Sequence, residues 1–261
     1  MSIISTIKSR YNDYNFLFEE LVKRDFKKRY KGTALGIFWS MLGPLLQILV
    51  MTLIFVNFFG RDMPHFIIYV FCGQQVFQFF RESTTQGMSS LMSNSGIITK
   101  IKVPKYVFLL SKNVASLINF GMMLIIFFIF VLIDGVTITP YFFFLIYPTI
   151  TLMVFNIGAG LVLSALYVFF KDIQYLYDIF CMLLMWLSAI FYSIETFSIT
   201  TQRLFLLNPI FAHIHYFRLV VLWGYIPAWH IHLVCAGYAL GAIMLGAFFY
   251  KRYNYRFVYY M

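Results

Sequence analysis

Charged side chains are scarce in this 261-residue chain, at 11% of its residues. A soluble globular domain carries about 25%, whereas here the mean hydropathy reaches +0.80. Acidic residues are rarer than basic ones, with ten Asp and Glu against twenty Lys and Arg. This composition excludes an ordinary soluble domain and indicates an integral membrane protein.

Cysteine is also rare, and all three cysteines (Cys72, Cys181 and Cys235) lie inside apolar runs. That placement argues against a disulfide framework or a zinc site and favours small buried side chains. Residues 1–33 contain no short apolar core, so we expect no secretory signal peptide.

Several catalytic motifs are missing. There is no GxxxxGK[ST] phosphate loop, so the chain is not expected to hydrolyse ATP itself. There is no HExxH or GxSxG motif and no acidic pair suited to glycosyl chemistry. We therefore predict no catalytic residues, no metal site and no cofactor, with energy supplied by another protein. The basic residues lie beside apolar runs, which favours anionic lipid and not nucleic acid as their partner.

Long apolar runs, in contrast, are abundant. A transmembrane helix needs about 20 mostly apolar residues. Six runs qualify, near residues 34–59, 66–86, 107–133, 141–168, 174–192 and 229–250. The predicted fold is an all-α integral membrane domain covering 1–261, with six transmembrane helices.

The cations are distributed unevenly between the two sides of these spans. Residues 1–33 hold eight Lys and Arg, and residues 81–112 hold five. With both termini inside, seventeen fall on the inner side and three on the outer side. Such a bias sets orientation, so both termini are predicted to be cytoplasmic.

Residues 11–31 are predicted to form an interfacial amphipathic helix. Its apolar face consists of Tyr14, Leu17, Phe18, Leu21, Val22 and Phe26. The opposite face carries Glu20, Lys23, Arg24, Lys27 and Lys31. Asp25 and Arg29 fall on the apolar face, four residues apart, and are predicted to pair. Either they pin the helix to its own bundle, or Arg29 and Lys28 contact a phosphate of a transported lipid.

A polar stripe interrupts the second predicted span. It consists of Gln74, Gln75, Gln78, Glu82 and Thr85. Polar groups at membrane depth rarely face lipid. The stripe is therefore predicted to face either another helix or an aqueous path.

Two further segments lie between spans. Residues 94–103 form a short amphipathic cytoplasmic piece, which is either a plain inner-leaflet loop or a docking element for a partner protein. Residues 197–223 are too apolar for a free loop, and Asn208-Pro209 interrupts them, so a re-entrant pair of outer helices is predicted before the last span. His213 and His215 lack a third ligand nearby and do not indicate zinc.

The sequence RYKGTALGIFWSMLGPLLQ, residues 29–47, resembles the signature of the membrane (permease) subunits of ABC-type polysaccharide exporters, which export O-antigen, capsule or teichoic acid. AIFYS at 189–193, NPI at 208–210 and RLVVLWG at 218–224 resemble later motifs of that family. Gly43 stands where the family often has Asn.

The resemblance implies a homodimer that pairs with two copies of an ATP-binding subunit, which would carry the ATP and Mg. It implies a multi-pass permease in the bacterial cytoplasmic (inner) membrane. The implied cargo is an undecaprenyl-diphosphate-linked polysaccharide, as in lipopolysaccharide biosynthesis, although the residues leave open which glycan it is.

The resemblance also implies roles for particular residues. Lipid phosphate is assigned to Arg29, Lys28 and Lys31. The glycan path is assigned to Trp39, Tyr167, Phe169, Tyr177 and Trp186. Docking on the ATPase is assigned to the coupling helix 94–103, through Ser95, Ile97, Ile98, Lys100, Ile101 and Lys102. Spans one and five of opposite protomers would form a lateral opening, capped outside by 197–223.

Two alternatives remain open at this point. The same architecture suits an exporter of a drug or a small lipid. A membrane-embedded acyl or glycosyl transferase would need a cluster of polar residues, for which His213, His215, Arg218 and Glu195 are the candidates.

Overall fold

The computed structural model describes residues 3–30, 42–43, 45–47, 49–50, 53–54, 64–101 and 103–260, without the side chains of 3–14, 29–30 and 258–259. Within these ranges the chain is helical and forms no β-strand. The helices are α1 (Ile3–Tyr30), α2 (Phe66–Ser89), α3 (Ser95–Ile98), α4 (Tyr106–Ile133), α5 (Ile146–Phe169), α6 (Ile173–Leu187), α7 (Ile199–Phe205), α8 (Pro209–Val221), α9 (Trp229–Tyr253) and α10 (Phe257–Tyr260). Two 3₁₀ turns, Met92–Asn94 and Pro140–Leu145, precede α3 and α5.

Among the described residues, three helical stretches are long and apolar enough to cross a membrane, namely α4, α5 with its preceding turn, and α9. A fourth is possible if α7 and α8, which meet at 109°, are one broken span. These helices make the chain a multi-pass membrane protein. The first predicted span, 34–59, lies largely outside the described residues.

The fifth predicted span, 174–192, is shorter than expected. Helix α6 has 15 residues, which at 1.5 Å per residue is about 22 Å, against a hydrocarbon core of about 30 Å. The chain leaves the helix at Ser188, and Ala189 has a φ of 48°. Helix α6 therefore reaches through only part of the bilayer.

The break between α7 and α8 has a local cause. The Asn208 side chain accepts hydrogen bonds from the backbone N–H groups of Ile210 (2.9 Å) and Phe211 (3.3 Å). Pro209 occupies the first turn, where its missing N–H costs nothing. The predicted interruption at Asn208-Pro209 is therefore confirmed, with α7 and α8 as the two short helices.

Helix α2 packs against α4, α5 and α8 and is buried over 17 of its 24 residues. Its polar stripe faces α4: Gln75 Nε2 donates to the Phe120 carbonyl (3.1 Å), and Asn119 Nδ2 donates to Glu82 Oε2 (2.9 Å). Gln78 is exposed. The interpretation that the stripe packs against a helix is confirmed at Gln75 and Glu82.

Helices α5 and α9 approach each other most closely at two glycines. A Cβ atom on Gly158 would overlap the backbone of Ala242, and one on Gly246 would overlap the Gly158 carbonyl. Small residues permit such backbone contact between membrane helices, where dispersion forces replace the hydrophobic effect.

The two ends of the bundle differ in chemistry. At one end, which we name the basic end, Lys105 Nζ donates to the Asn254 carbonyl and the Phe169 ring lies 5.6 Å from the Tyr253 ring. At the opposite end, His65 Nδ1 lies 2.7 Å from Asp134 Oδ2. The basic end gathers the start of α4 and the ends of α5 and α9.

Candidate functional site

Asp25 is a buried carboxylate on α1, with its side chain 1% exposed. Lys112 of α4 places its Nζ 3.3 Å from Asp25 Oδ1. The Ser111 hydroxyl donates to Asp25 Oδ2 at 3.4 Å. Asp25 follows Leu21 by one helical turn, so the apolar face of α1 carries this acid against the bundle.

Arg24, the neighbour of Asp25, extends the contact to a third element. Its Nη2 donates both to Asp25 Oδ1 (2.8 Å) and to Asn94 Oδ1 (2.8 Å). Asn94 is buried and is itself oriented by a hydrogen bond from its Nδ2 to the Ser90 carbonyl (2.7 Å). We call Arg24, Asp25, Asn94 and Lys112 the charged junction.

The charged junction has two cations and one carboxylate. The Lys112 side chain is 14% exposed and that of Arg24 is 41% exposed, so Asp25 and Lys112 form the buried pair. A buried charge that loses its partner costs several kcal/mol. The pair therefore holds α1 against α4, and Arg24 fixes the segment before α3 to the same carboxylate.

The charged junction adds partners that the helix pattern did not predict. Arg24 lies opposite the apolar face of α1 and is exposed, as predicted, but its guanidinium also bonds to Asp25 and Asn94. The side chain of Arg29 lies outside the described residues. Lys112 and Asn94 were missed. Asp25 on an apolar face was a signal that a cationic partner was needed, but helix periodicity does not reveal which one.

The predicted phosphate-binding residues are only partly described. Lys28 is exposed on α1. The Arg29 side chain and all of Lys31 lie outside the described residues. Lys23 is exposed as predicted, and its ammonium donates to Glu20 Oε1 at 3.0 Å, which raises the pKa of Lys23.

The predicted coupling segment, 94–103, contains one helical turn and not a continuous helix. Ser95, Ile97 and Ile98 lie in α3, where Ile98 is buried and Ile97 half-buried. Lys100 and Ile101 follow as exposed residues. Lys102 lies outside the described residues.

The predicted glycan-path residues have separate surroundings. Tyr167 donates to Gln174 Oε1 (3.1 Å), and Phe169 packs on the tail residues Tyr253 and Tyr260. Tyr177 is buried and bonds through its hydroxyl to Thr84 Oγ1. Trp186 is 49% exposed on α6. Trp39 lies outside the described residues, and no described ring contact or hydrogen bond joins any two of the other four.

Arg218 of α8 is buried, 2% exposed, and lies away from the charged junction. Its guanidinium donates to the carbonyls of Ala189 (3.0 Å), Ile190 (2.9 Å) and Tyr69 (3.2 Å), and it lies 3.4 Å from the centre of the Tyr69 ring. These carbonyls follow the end of α6 or begin α2. Arg218 thus joins three elements, and its donors are used by backbone oxygens.

The histidines of α8 are also engaged within the fold. His213 lies 2.7 Å from the Pro209 carbonyl and 3.2 Å from Thr151 Oγ1. The His215 ring stacks on Phe211. The residues considered for a transferase thus make packing contacts, and Glu195 is exposed.

An apolar cavity of about 470 Å³ lies between α2, α5, α6, α8 and α9. Its walls include Phe80, Phe155, Tyr177, Phe180 and Tyr238, and its lining contains no charged residue. The cavity has the size of a small-molecule pocket.

The profile of the ABC-2 type transporter family matches residues 17–222. The chain belongs to the ABC-2 type transporter family. Over 259 residues, 97% of this chain and 98% of the relative, it is 26% identical to the O-antigen export system permease protein RfbA of Klebsiella pneumoniae. Over 211 residues, 79% and 80% of the two chains, it is 27% identical to the protein of the same name from Myxococcus xanthus.

The region shared with the ABC-2 type family contains the whole charged junction, from Arg24 to Lys112. It also contains the α7–α8 break and Arg218. Helix α9 and the tail after it lie beyond residue 222, outside the family match. The charged junction is therefore a feature of the family region of this ABC-2 type chain.

Proposed function

We propose that this chain is the permease of an ATP-driven exporter that moves an undecaprenyl-diphosphate-linked polysaccharide across the cytoplasmic membrane. Family membership and the names of the relatives support the transport role. The lack of a phosphate loop in the sequence supports a separate ATP-binding subunit. The proposed assembly is a homodimer with two such subunits, six spans per protomer and both termini in the cytoplasm.

The observation that carries this proposal is the guanidinium of Arg24 between Asn94 and Asp25. Asn94 lies at the start of the proposed coupling segment. Asp25 lies on the proposed interfacial helix and pairs with Lys112 of a span. A displacement of the coupling segment by the ATPase would thus be transmitted through one carboxylate to both α1 and α4.

The same helix carries the residues proposed to hold the cargo. Lys28 and Arg29 follow Asp25 within four residues, and Lys31 follows at the end of the basic stretch. Cations at this depth meet lipid phosphates. Movement of α1 would therefore act directly on the diphosphate of the lipid carrier, while the exposed Trp186 of α6 would contact the glycan.

The test is coexpression with a candidate ATP-binding subunit from the same genome, followed by purification and assays of ATP hydrolysis and glycan export. Arg24→Gln removes the bridge and is expected to keep the complex and its ATP hydrolysis but lower export at least tenfold. Arg24→Lys, which keeps the charge but not the forked geometry, should give an intermediate rate.

Lys23→Gln is the matched control, because Lys23 is the adjacent cation and its exposed pair with Glu20 is worth little. It should export at the wild-type rate. Unchanged export by Arg24→Gln would contradict the coupling role of the charged junction. Failure of any ATP-binding subunit to copurify with the wild-type chain would contradict the proposed function itself.

The apolar cavity of about 470 Å³ favours one alternative, a drug or small-lipid exporter of the same architecture. A drug or small lipid would then stimulate ATP hydrolysis by the purified complex, and this stimulation would not require a lipid-linked glycan. Stimulation by an undecaprenyl-diphosphate glycan and not by small apolar compounds would decide for the polysaccharide.

A further inference from the structure

A second cavity, of about 370 Å³, lies at the basic end beneath the C-terminal tail. It lies between the end of α5, the end of α9 and the tail. Its lining consists of Ala165, Leu166, Phe169, Phe170, Phe249, Tyr253, Arg256 and Tyr260. Part of this lining lies beyond the region that matches the ABC-2 type family.

The tail that covers the cavity is fixed to the bundle by Phe257, which is fully buried. The Phe257 ring packs on Phe169 (6.0 Å between centres) and on Tyr250 (5.3 Å). Lys105 donates to the Asn254 carbonyl, and its Nζ lies 5.5 Å from the centre of the Phe257 ring. Burial lowers the pKa of Lys105. These contacts hold the tail against the bundle, so the tail forms a fixed wall of the cavity.

The lining is amphipathic. Ala165, Leu166, Phe169, Phe170 and Phe249 give an apolar floor, and Tyr253, Arg256 and Tyr260 bring polar atoms to the rim. Arg256 is exposed, and no carboxylate of the described residues lies within 4.0 Å of its guanidinium. An exposed cation at the mouth of an apolar cavity fits a ligand with an anionic head and an apolar chain.

We propose that this cavity binds one anionic phospholipid of the inner leaflet, with its phosphate on Arg256 and an acyl chain against Phe169 and Phe170. The charge favours this occupant, because Arg256 gives the rim of the cavity a positive charge. A zwitterionic headgroup would bring its own cation to this potential and gain less. The site is independent of the exported cargo.

The test uses the purified full-length chain in detergent, stripped of lipid and titrated with dioleoyl phosphatidylglycerol while thermal unfolding is followed. A ligand that binds the folded state raises the melting temperature in a saturable manner. Phosphatidylcholine should give a markedly smaller rise. Inorganic phosphate and glycerol phosphate, which lack the chain, should give none.

Arg256→Gln is expected to weaken phosphatidylglycerol binding at least tenfold. Arg252→Gln is the matched control, because this exposed arginine lies one helical turn away on α9 and outside the cavity lining. Both residues are exposed, so both variants should melt like the wild type before lipid is added, which keeps the comparison valid.

Three results would overturn the lipid site. Equal weakening by Arg256→Gln and Arg252→Gln would show only general attraction of a basic surface. Equal stabilisation by phosphatidylcholine would remove the role of the anionic head. Stabilisation by inorganic phosphate alone would assign Arg256 to free anions and leave the apolar floor without a lipid.

Discussion

Asp25 shows how one acid organises the basic end at the scale of a residue. Helical periodicity placed it on the apolar face of α1, where a carboxylate needs a partner. The structure supplies Lys112 from α4, 87 residues later in the chain. The need for a cation was readable from the sequence, but the identity of the partner depended on how α1 docks on α4.

We expect Asp25→Asn to destabilise the docking of α1 by about 3 kcal/mol, because it leaves the Lys112 ammonium buried without a carboxylate. Lys112→Met should cost less, because Asp25 keeps its bond to Arg24. The double variant should lose less than the sum, since no isolated charge remains. Limited trypsin cleavage within Lys23–Lys28 measures the release of α1. Strict additivity in the double variant would show that Asp25 and Lys112 do not interact.

Arg218 leads to a second prediction at this scale. Its planar fork serves three carbonyl groups at once, and a lysine ammonium cannot reproduce that geometry. Arg218→Lys should therefore lower the melting temperature of the purified protein by several degrees.

Arg203→Lys, at an exposed position on α7, should leave the melting temperature unchanged. If Arg218→Lys melted like the wild type, the carbonyl contacts would not be what fixes the end of α6.

At the scale of the elements, apolar run length predicted α4, α5 and α9 to within a few residues. Helix α2 was the weakest of the predicted spans, because its polar stripe lowers its hydropathy. Two members of that stripe, Gln75 and Glu82, bond to α4. The predicted length of the fifth span was wrong, because α6 already ends at Leu187. The length of the apolar run does not reveal this end, which is followed by the bond from Arg218 to the Ala189 carbonyl.

The α5–α9 contact gives a prediction for these two helices. Gly246→Ala should destabilise the protein by about 1–3 kcal/mol, because its Cβ would overlap the Gly158 carbonyl and push the backbones apart. Gly241→Ala, on the same helix, meets open space and should be neutral or slightly stabilising. Thermal unfolding in detergent compares the two.

A Gly246→Ala variant as stable as Gly241→Ala would show that α5 and α9 are not in backbone contact. Both substitutions add one methyl group to α9, so helix propensity cannot account for a difference between them.

At the scale of the whole molecule, the distribution of cations between the two ends of the bundle bears on the predicted orientation in the membrane. The sequence count of cations predicted an inner side, and the structure gathers Arg24, Lys105 and Lys112 at one end. Arg218, counted with the outer cations, is buried in α8 and is not a loop charge. The prediction of a cytoplasmic basic end still depends on these inner cations. The predicted outer side has fewer exposed cations than the sequence count indicated, because Arg218 is buried.

Orientation can be tested by cysteine labelling, because the three native cysteines are buried and should react little. With the basic end on the cytoplasmic side, as proposed, Lys251→Cys should react with a membrane-impermeant maleimide only in inverted vesicles. A cysteine at Ser198, the exposed N-cap of α7, should react in intact cells. The reverse pattern would invert the assigned topology.

The contacts of Arg218 also impose an order in time. Tyr69, Ala189 and Ile190 all precede Arg218 in the chain, so every acceptor has been synthesised before its donor leaves the ribosome. Until α8 is inserted, the carbonyls of Ala189 and Ile190 after α6 lack the guanidinium of Arg218 as their donor. Completion of the helical core therefore waits for the last third of the chain, and a nascent chain stopped before residue 218 should be a substrate for membrane quality control.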